Sequence, residues 1–428
     1  MTMEPTGRAL PRPDAKRLGA MLDDLAELSD TDDGVTRLAY STTERAAHDL
    51  FASWLRGLGL DVRVDAAGNT IAERPGSDAS APAIATGSHL DSVPHGGRFD
   101  GIAGVVAAVE VARLLVEHDV EHRHPFRFVA FAAEEGARFG QACLGSKAVA
   151  GLLTPADLHT YQDAGGVSVA AAMEAVGLEA GSIGKARWQP QDWAAFVELH
   201  VEQGDRLERA GLPVGIVDVV SGSTRLAMEI TGRATHSGST PMDHRSDALA
   251  AAAEIVLLAE RTASDEDHAE TRATVGVLNV QPGSITTIPG RATLTLDVRD
   301  VEGVRQRATA AEIVRTARDI CARRQASVTS RPIGDSAPAT LSPRLRQIMV
   351  DACQTLGLPY MTMPSGASHD AQMINHVVPT ALMFVPSRAG LSHVPDEWTS
   401  TTDLAVGVDL LLRGLLEIDR IGGESADG

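Results

Sequence analysis

The sequence predicts an α/β fold: a di-metal hydrolase domain on a largely parallel central sheet, with a smaller α+β domain inserted into it. Three observations predict this. Short apolar runs that read as strands alternate with longer helical stretches through roughly the first half of the chain. Three of those runs, AIATGSHL, FRFVAFAAEEG and WAAFVELHVEQG, end in His or Glu, as strands do when ligands bind beyond the carboxyl edge of a sheet. Near residue 220 the texture switches to a β-α-β-β-α-β order, the pattern of a ferredoxin-like unit. A chain of 428 residues is also too long for one ordinary core.

The elements follow in order. The first fourteen residues, with Pro and Arg, and the tail GGESADG read as loose ends. Helical spacing runs through LGAMLDDLAEL and AAHDLFASWLRGLGL. VRVDAAGNTIAER reads as two short strands around an Ala-Gly-Asn turn. AIATGSHL is a strand buried on both faces, and GIAGVVAAVEVARLLVEH is a long helix rich in small residues. The strands FRFVAFAAEEG and WAAFVELHVEQG follow. The inserted unit takes RLAMEITG, a helix over SDALAAAAEIVLLAERT, ATVGVLNVQP, ATLTLDVRD, a helix over GVRQRATAAEIVRTARDICARR, and ASVTSRP. The α/β texture then resumes with LSPRLRQIMVDACQTLGL, TALMFVPS and a helix over TTDLAVGVDLLLRGLLEIDRI. The expected division is 1–220 and 333–428 as one catalytic domain and 221–332 as the insertion.

Composition narrows the function. Lys and Arg total 38 against 57 Asp and Glu, a formal net charge of −19. Such a surface repels nucleic acid and anionic membrane, so neither is an expected partner. A local basic pocket for a small anionic substrate is still compatible with it. Three widely spaced cysteines, Cys143, Cys321 and Cys353, form neither a disulfide framework nor a thiolate metal motif. The N-terminus lacks the apolar run of a signal peptide, and no stretch approaches the ~20 apolar residues of a membrane helix. The expectation is a cytoplasmic protein.

The chemistry lies at the strand ends. His89 closes one strand, and Asp100 sits in a Gly-rich loop before a helix. Imidazole suits zinc and its neighbours, and one carboxylate can bridge two ions. Asp91 is placed to take the second ring N–H of His89. Glu134 and Glu135 are adjacent, so their side chains point differently: Glu135 can ligate while Glu134 moves a proton. His200 and His393 complete the set. Each residue alone is more simply read as a solvated or capping group; their joint order is what argues for metal. Of the 14 histidines, His118, His122 and His124 read as a solvated loop, and His159, His244, His268 and His376 receive no role. His95 shares the Asp100 loop but stays outside the set.

GSHLDS, GGRFDG, AEEGARF, ELHVEQG and SHVPDE together resemble the metallo-amidohydrolases of the M20 peptidase clan. ELHVEQG resembles the branch of N-carbamoyl-L-amino acid amidohydrolases, β-ureidopropionases and allantoate amidohydrolases. The resemblance runs from TRLAYS to the C-terminal helix. It implies two divalent ions per subunit, with zinc first and manganese, cobalt or nickel as alternatives. His89 and His200 would hold one ion, Glu135 and His393 the other, with Asp100 between them and Glu134 as general base and acid. It further implies that His236, in GRATHSGSTPMDH, polarises the scissile carbonyl from a partner subunit, making a homodimer necessary and the inserted unit a dimerisation or lid domain. Arg299 would grip the substrate carboxylate, a task for a bidentate guanidinium. Gln203, Ser365, Gly366 and His369 would contact substrate. Thr286 stands where the family has a substrate-binding Asn; its single hydroxyl cannot donate and accept as an amide does. Val394 replaces a residue that is commonly polar. The implied reaction is cleavage of an N-carbamoyl-L-amino acid to amino acid, carbon dioxide and ammonia. Allantoate or another ureido acid is the next substrate class, and an N-acyl-amino acid or dipeptide the third. A binding protein on this fold would be expected to lose Glu134 or a ligand, yet all six positions are intact.

Overall fold

The computed structural model describes residues 10–424. Of the loose ends expected from the sequence, residues 1–9 and 425–428 lie outside the described residues, Leu10–Asp14 carry no regular element, and Gly422–Glu424 instead continue the C-terminal helix. The chain divides into two compact units, Met1–Asp218 with Leu341–Gly428, and Val219–Thr340.

The first unit is built on a nine-stranded sheet. Its centre is four parallel strands in the order Phe126–Phe131, Ala83–His89, Trp193–Val201 and Thr380–Val385. Antiparallel strands flank this centre: Thr70–Arg74 and Asp61–Val64 on one side, Val214–Val220 on the other. Every residue of Ala83–His89 is buried, which explains why this run reads as apolar throughout rather than alternating. Register brings the carboxyl ends level. His89 pairs with Phe131, and Phe384 with His200.

Helices Ala15–Ala26, Thr42–Gly57, Ile102–Glu117, Pro343–Leu356 and Thr401–Glu424 share the main core with the sheet. Each large aliphatic side chain buried there contributes roughly 1.5–3 kcal/mol. Ile102–Glu117 lies tightest against the strands. A Cβ on Gly104 would meet the Leu199 carbonyl at 2.3 Å and Ser88 Cβ at 2.6 Å. The small residues seen in this stretch therefore bring the helix onto the two strands that carry His89 and His200. A second core gathers short helices over Leu144–Val149, Pro155–Thr160 and Val169–Ala175.

The second unit has an antiparallel sheet in the order Ser327–Ser336, Gly222–Thr231, Arg291–Asp300, Arg272–Gln281. Helices Ala248–Ala263 and Gly303–Arg323 bury Ala251, Ile255, Ala317 and Ile320 against Met228, Ile230 and Leu294. Its elements follow the expected β-α-β-β-α-β order. A two-residue ladder pairs Thr287 with His236. Among the described residues no helix is long and apolar enough to cross a membrane.

Two of the three histidines read from the sequence as a solvated loop lie inside the protein. His122 and His124 are buried, not solvated. His122 stacks on Phe126 with ring centroids 4.4 Å apart, and His124 Nδ1 lies 2.9 Å from Asp419 Oδ1 in the C-terminal helix. Only His118 of that trio is exposed.

Candidate metal centre

The level strand ends bring His89, Asp100, Glu134, Glu135, His200 and His393 together. Asp100 is at the middle, and its two oxygens face different partners. Oδ1 lies 3.6 Å from His89 Nε2 and 3.2 Å from His200 Nε2. Oδ2 lies 3.1 Å from His393 Nε2, which is itself 3.3 Å from Glu135 Oε1. Among the described residues three sets of potential ligands result, His89–Asp100–His200, Asp100–Glu135–His393 and Glu198–His200–His369, each with atoms within 4.8 Å of one another, and the first two share Asp100. Glu134 Oε2 is 4.0 Å from His89 Nε2.

The imidazoles are oriented for ligation. His200 Nδ1 is 2.8 Å from the Val201 carbonyl and donates to it, which turns Nε2 toward the centre, where it accepts the Gly101 N–H at 3.2 Å. His89 Nδ1 is 3.2 Å from the Asp91 carbonyl. The Asp91 carboxylate, which the sequence suggested for this contact, lies 3.5 Å from the same nitrogen. Its two oxygens also accept the backbone N–H groups of Glu134 and Glu135, each at 2.8 Å. The approach of the helix to His89 needs Gly101. Its φ is +70°, and a Cβ there would sit 2.5 Å from the His89 ring.

Electrostatics follow from burial. Burial alone would raise the Asp100 carboxyl, but the His200, His393 and His89 imidazoles facing its oxygens outweigh it and hold Asp100 well below the usual carboxylate range. Burial, with the nearby charges of Glu135 and Asp370, holds Glu134 well above that range. Hydrogen bonds to Asp100 and Glu135 push His393 up to about 11. Glu397, missed in the sequence although it is four residues after His393, holds the backbone at Asp100. It accepts the backbone N–H groups of Phe99 and Asp100 at 2.9 and 3.0 Å and the Ser392 hydroxyl at 2.8 Å. Burial first, then the Asp100 charge, lifts it to about 7.

The other expected site residues divide between the units. Gln203 is turned onto the centre, donating from Nε2 to Asp100 Oδ2 at 2.7 Å. Buried His369 packs edge-on to His200 with centroids 4.5 Å apart, and its Nε2 is 2.9 Å from Ser365 Oγ. Gly366 is exposed beside them. His236, Thr286 and Arg299 belong to the second unit. The Ser237 N–H donates to the Thr286 carbonyl at 2.9 Å, which brings Thr286 beside His236. The exposed His236 ring accepts at Nδ1 from Gly238 and Ser239 N–H, at 3.1 and 3.2 Å. Its proton therefore sits on Nε2, which is left as a donor. Arg299 Nε donates to Asp297 Oδ2 at 3.1 Å.

Residues 85–417 match peptidase family M20/M25/M40. This chain belongs to that family. The N-carbamoyl-L-amino acid amidohydrolase of Geobacillus stearothermophilus is 43% identical over 398 residues, covering 92% of this chain and 96% of that one. The ureidoglycolate hydrolase of Arabidopsis thaliana is 33% identical over 405 residues, covering 93% of this chain and 85% of the relative. The crystal structure of AtUAH in complex with glyoxylate superposes with a TM-score of 0.88 at 32% identity, covering 95% of this chain and 98% of that one. This M20-family chain is thus a hydrolase acting on C–N bonds of the amide type. Its family and these candidate ligand groups point to divalent-metal binding.

Proposed function

We propose that this chain hydrolyses an N-carbamoyl-L-amino acid to the free amino acid, carbon dioxide and ammonia. The observation that carries the chemistry is the division of Asp100, with one oxygen toward two imidazoles and the other toward a third. That donor set fits two divalent cations, His89 and His200 on one, Glu135 and His393 on the other, with Asp100 shared. Imidazole and carboxylate donors suit zinc first, then manganese, cobalt or nickel. Bound there, the cations supply Lewis acidity toward a water and the substrate carbonyl. The substrate class is supported by the 43% identical relative.

The side chains then have distinct tasks. Glu134 takes a proton from the water as it adds to the carbamoyl carbon. It returns that proton to the leaving nitrogen, and one C–N bond breaks. The carbamic acid that remains splits into carbon dioxide and the second amine. His236, with its proton on Nε2, donates to the developing oxyanion from the partner subunit of a homodimer, whose contact surface the second unit would provide. Arg299 takes the substrate carboxylate through a bidentate guanidinium, while Gln203, Thr286, Ser365, Gly366 and His369 line the rest. Three buried, unbridged cysteines fit a reducing cytoplasm.

A second reading, a ureido acid such as ureidoglycolate, is favoured by the 33% identity to the ureidoglycolate hydrolase of Arabidopsis thaliana. One panel separates them: N-carbamoyl-L-amino acids, ureidoglycolate, allantoate and N-acetyl amino acids, scored by ammonia and amine release. Highest kcat/KM on a carbamoyl amino acid supports the first reading, and highest on ureidoglycolate supports the second. Turnover of the N-acetyl compounds alone contradicts both.

A further inference from the structure

The turn that bears Glu134 and Glu135 is held by side chains from far along the chain. The strand ladder ends at Phe131. Beyond it, four successive backbone N–H groups each meet a side-chain oxygen. Ala132 donates to Asn69 Oδ1 at 2.9 Å and Ala133 to Glu44 Oε1 at 2.8 Å. Glu134 and Glu135 donate to the two oxygens of Asp91, each at 2.8 Å. The carbonyls of Ala132, Ala133 and Glu134 accept from Gly145, Leu144 and Cys143 at 3.0, 2.8 and 2.6 Å. Asn69, Glu44 and Asp91 are all buried. Inside this clamp Ala133 has φ +56°, a left-handed conformation costing a non-glycine residue roughly 1–2 kcal/mol. Such a conformation persists where the surroundings impose it.

Glu44 is the least expected member. It lies in the first turn of helix Thr42–Gly57 with its carboxylate wholly inside the protein. Its other oxygen accepts the Tyr40 N–H. A buried carboxylate is expensive to keep unless several donors meet it. Here one donor comes from its own helix entry and the other from the peptide before the glutamate pair. An amide could accept from only one of the two, and its NH2 would face the other N–H.

We propose that Glu44 is a positioning residue for the reaction: by gripping the Ala133 peptide it holds the left-handed turn that sends Glu134 and Glu135 in different directions. This rests on the roles assigned above to those two glutamates. Glu44→Gln is the informative variant because it keeps the volume and one acceptor; Glu44→Ala removes both. The measurements are kcat and KM on N-carbamoyl-L-alanine at verified zinc content, zinc affinity by equilibrium dialysis, melting temperature, and amide exchange over residues 132–135. In Glu44→Gln, kcat falls about tenfold or more, KM stays within about twofold, and the Ala133–Glu135 amides exchange faster. In Glu44→Ala the loss approaches about 100-fold, the scale of a misplaced catalytic group. Unchanged kcat at equal zinc loading in Glu44→Gln overturns the proposal, whatever happens to the melting temperature. If the wild-type protein turns over no carbamoyl or ureido acid, the proposed function fails instead. The clamp is then judged by zinc affinity, with about a tenfold weakening supporting it and no change overturning it.

Discussion

Glu134 combines three properties at one carboxyl: burial, a pKa driven upward, and a contact at 3.0 Å from the Cys143 thiol to Oε1. Glu134→Gln keeps the shape and the thiol's acceptor but cannot take a proton. The variant is expected to bind metal normally and to lose roughly 10²–10⁴-fold in kcat; near-normal turnover at full metal content would remove Glu134 from the mechanism. A second residue sets an acid limit on stability. Burial holds the His48 imidazole well below its ordinary 6.5, while Nδ1 is 2.9 Å from Thr70 Oγ1. The unfolded chain therefore takes up a proton below pH 6.5 that the folded protein refuses. The stability from neutral His48 is complete above that pH and falls as the pH drops through it, by about 1.4 kcal/mol per unit. Urea unfolding of metal-free wild type and His48→Leu at pH 7.5 and 5.5 should show the steeper loss in wild type; parallel losses would refute it. At this scale the sequence was legible where residue type is restrictive. His and Glu at the ends of apolar strands have few structural uses. It was illegible where partners are distant: Asp419 buries His124 from the far end of the chain, and Glu44 reaches Ala133 from an ordinary helix entry.

The turn into helix Ile102–Glu117 shows how an element sets a ligand. Gly101 combines positive φ with contact against the His89 ring. Gly101→Ala would add backbone strain of about 1–3 kcal/mol and displace His89. The expected result is metal affinity reduced at least about tenfold, read by dialysis, with the fold retained by circular dichroism. Unaltered affinity would show that the loop yields and the ligand does not depend on it. The elements themselves were readable because their hydrophobic periods differ. The fully apolar AIATGSH becomes a strand buried on both faces, and RATLTLDVRD alternates as one face of a two-layer unit. What periodicity could not give was the register that levels His89 with Phe131 and His200 with Phe384. That register joins strands far apart in the sequence, and the level ends bring scattered side chains to one centre.

For the whole molecule, the proposed homodimer can be tested without a structure of the assembly. His236→Ala is expected to retain metal and lose about 10²–10³-fold in turnover, as for one oxyanion donor. Mixing it with Glu134→Gln chains gives, in a mixed dimer, one site with both residues and one with neither. Free subunit exchange would then return roughly a quarter of wild-type activity. No recovery after verified exchange would confine His236 to its own subunit. A two-cation centre that cleaves a carbamoyl C–N bond can be checked by titrating metal-free protein with zinc or manganese while ammonia release from an N-carbamoyl-L-amino acid is followed. Activity should be absent at first and reach its plateau at about two equivalents per chain. Full activity in the metal-free protein, or a plateau at one equivalent with no further ion bound, would contradict it.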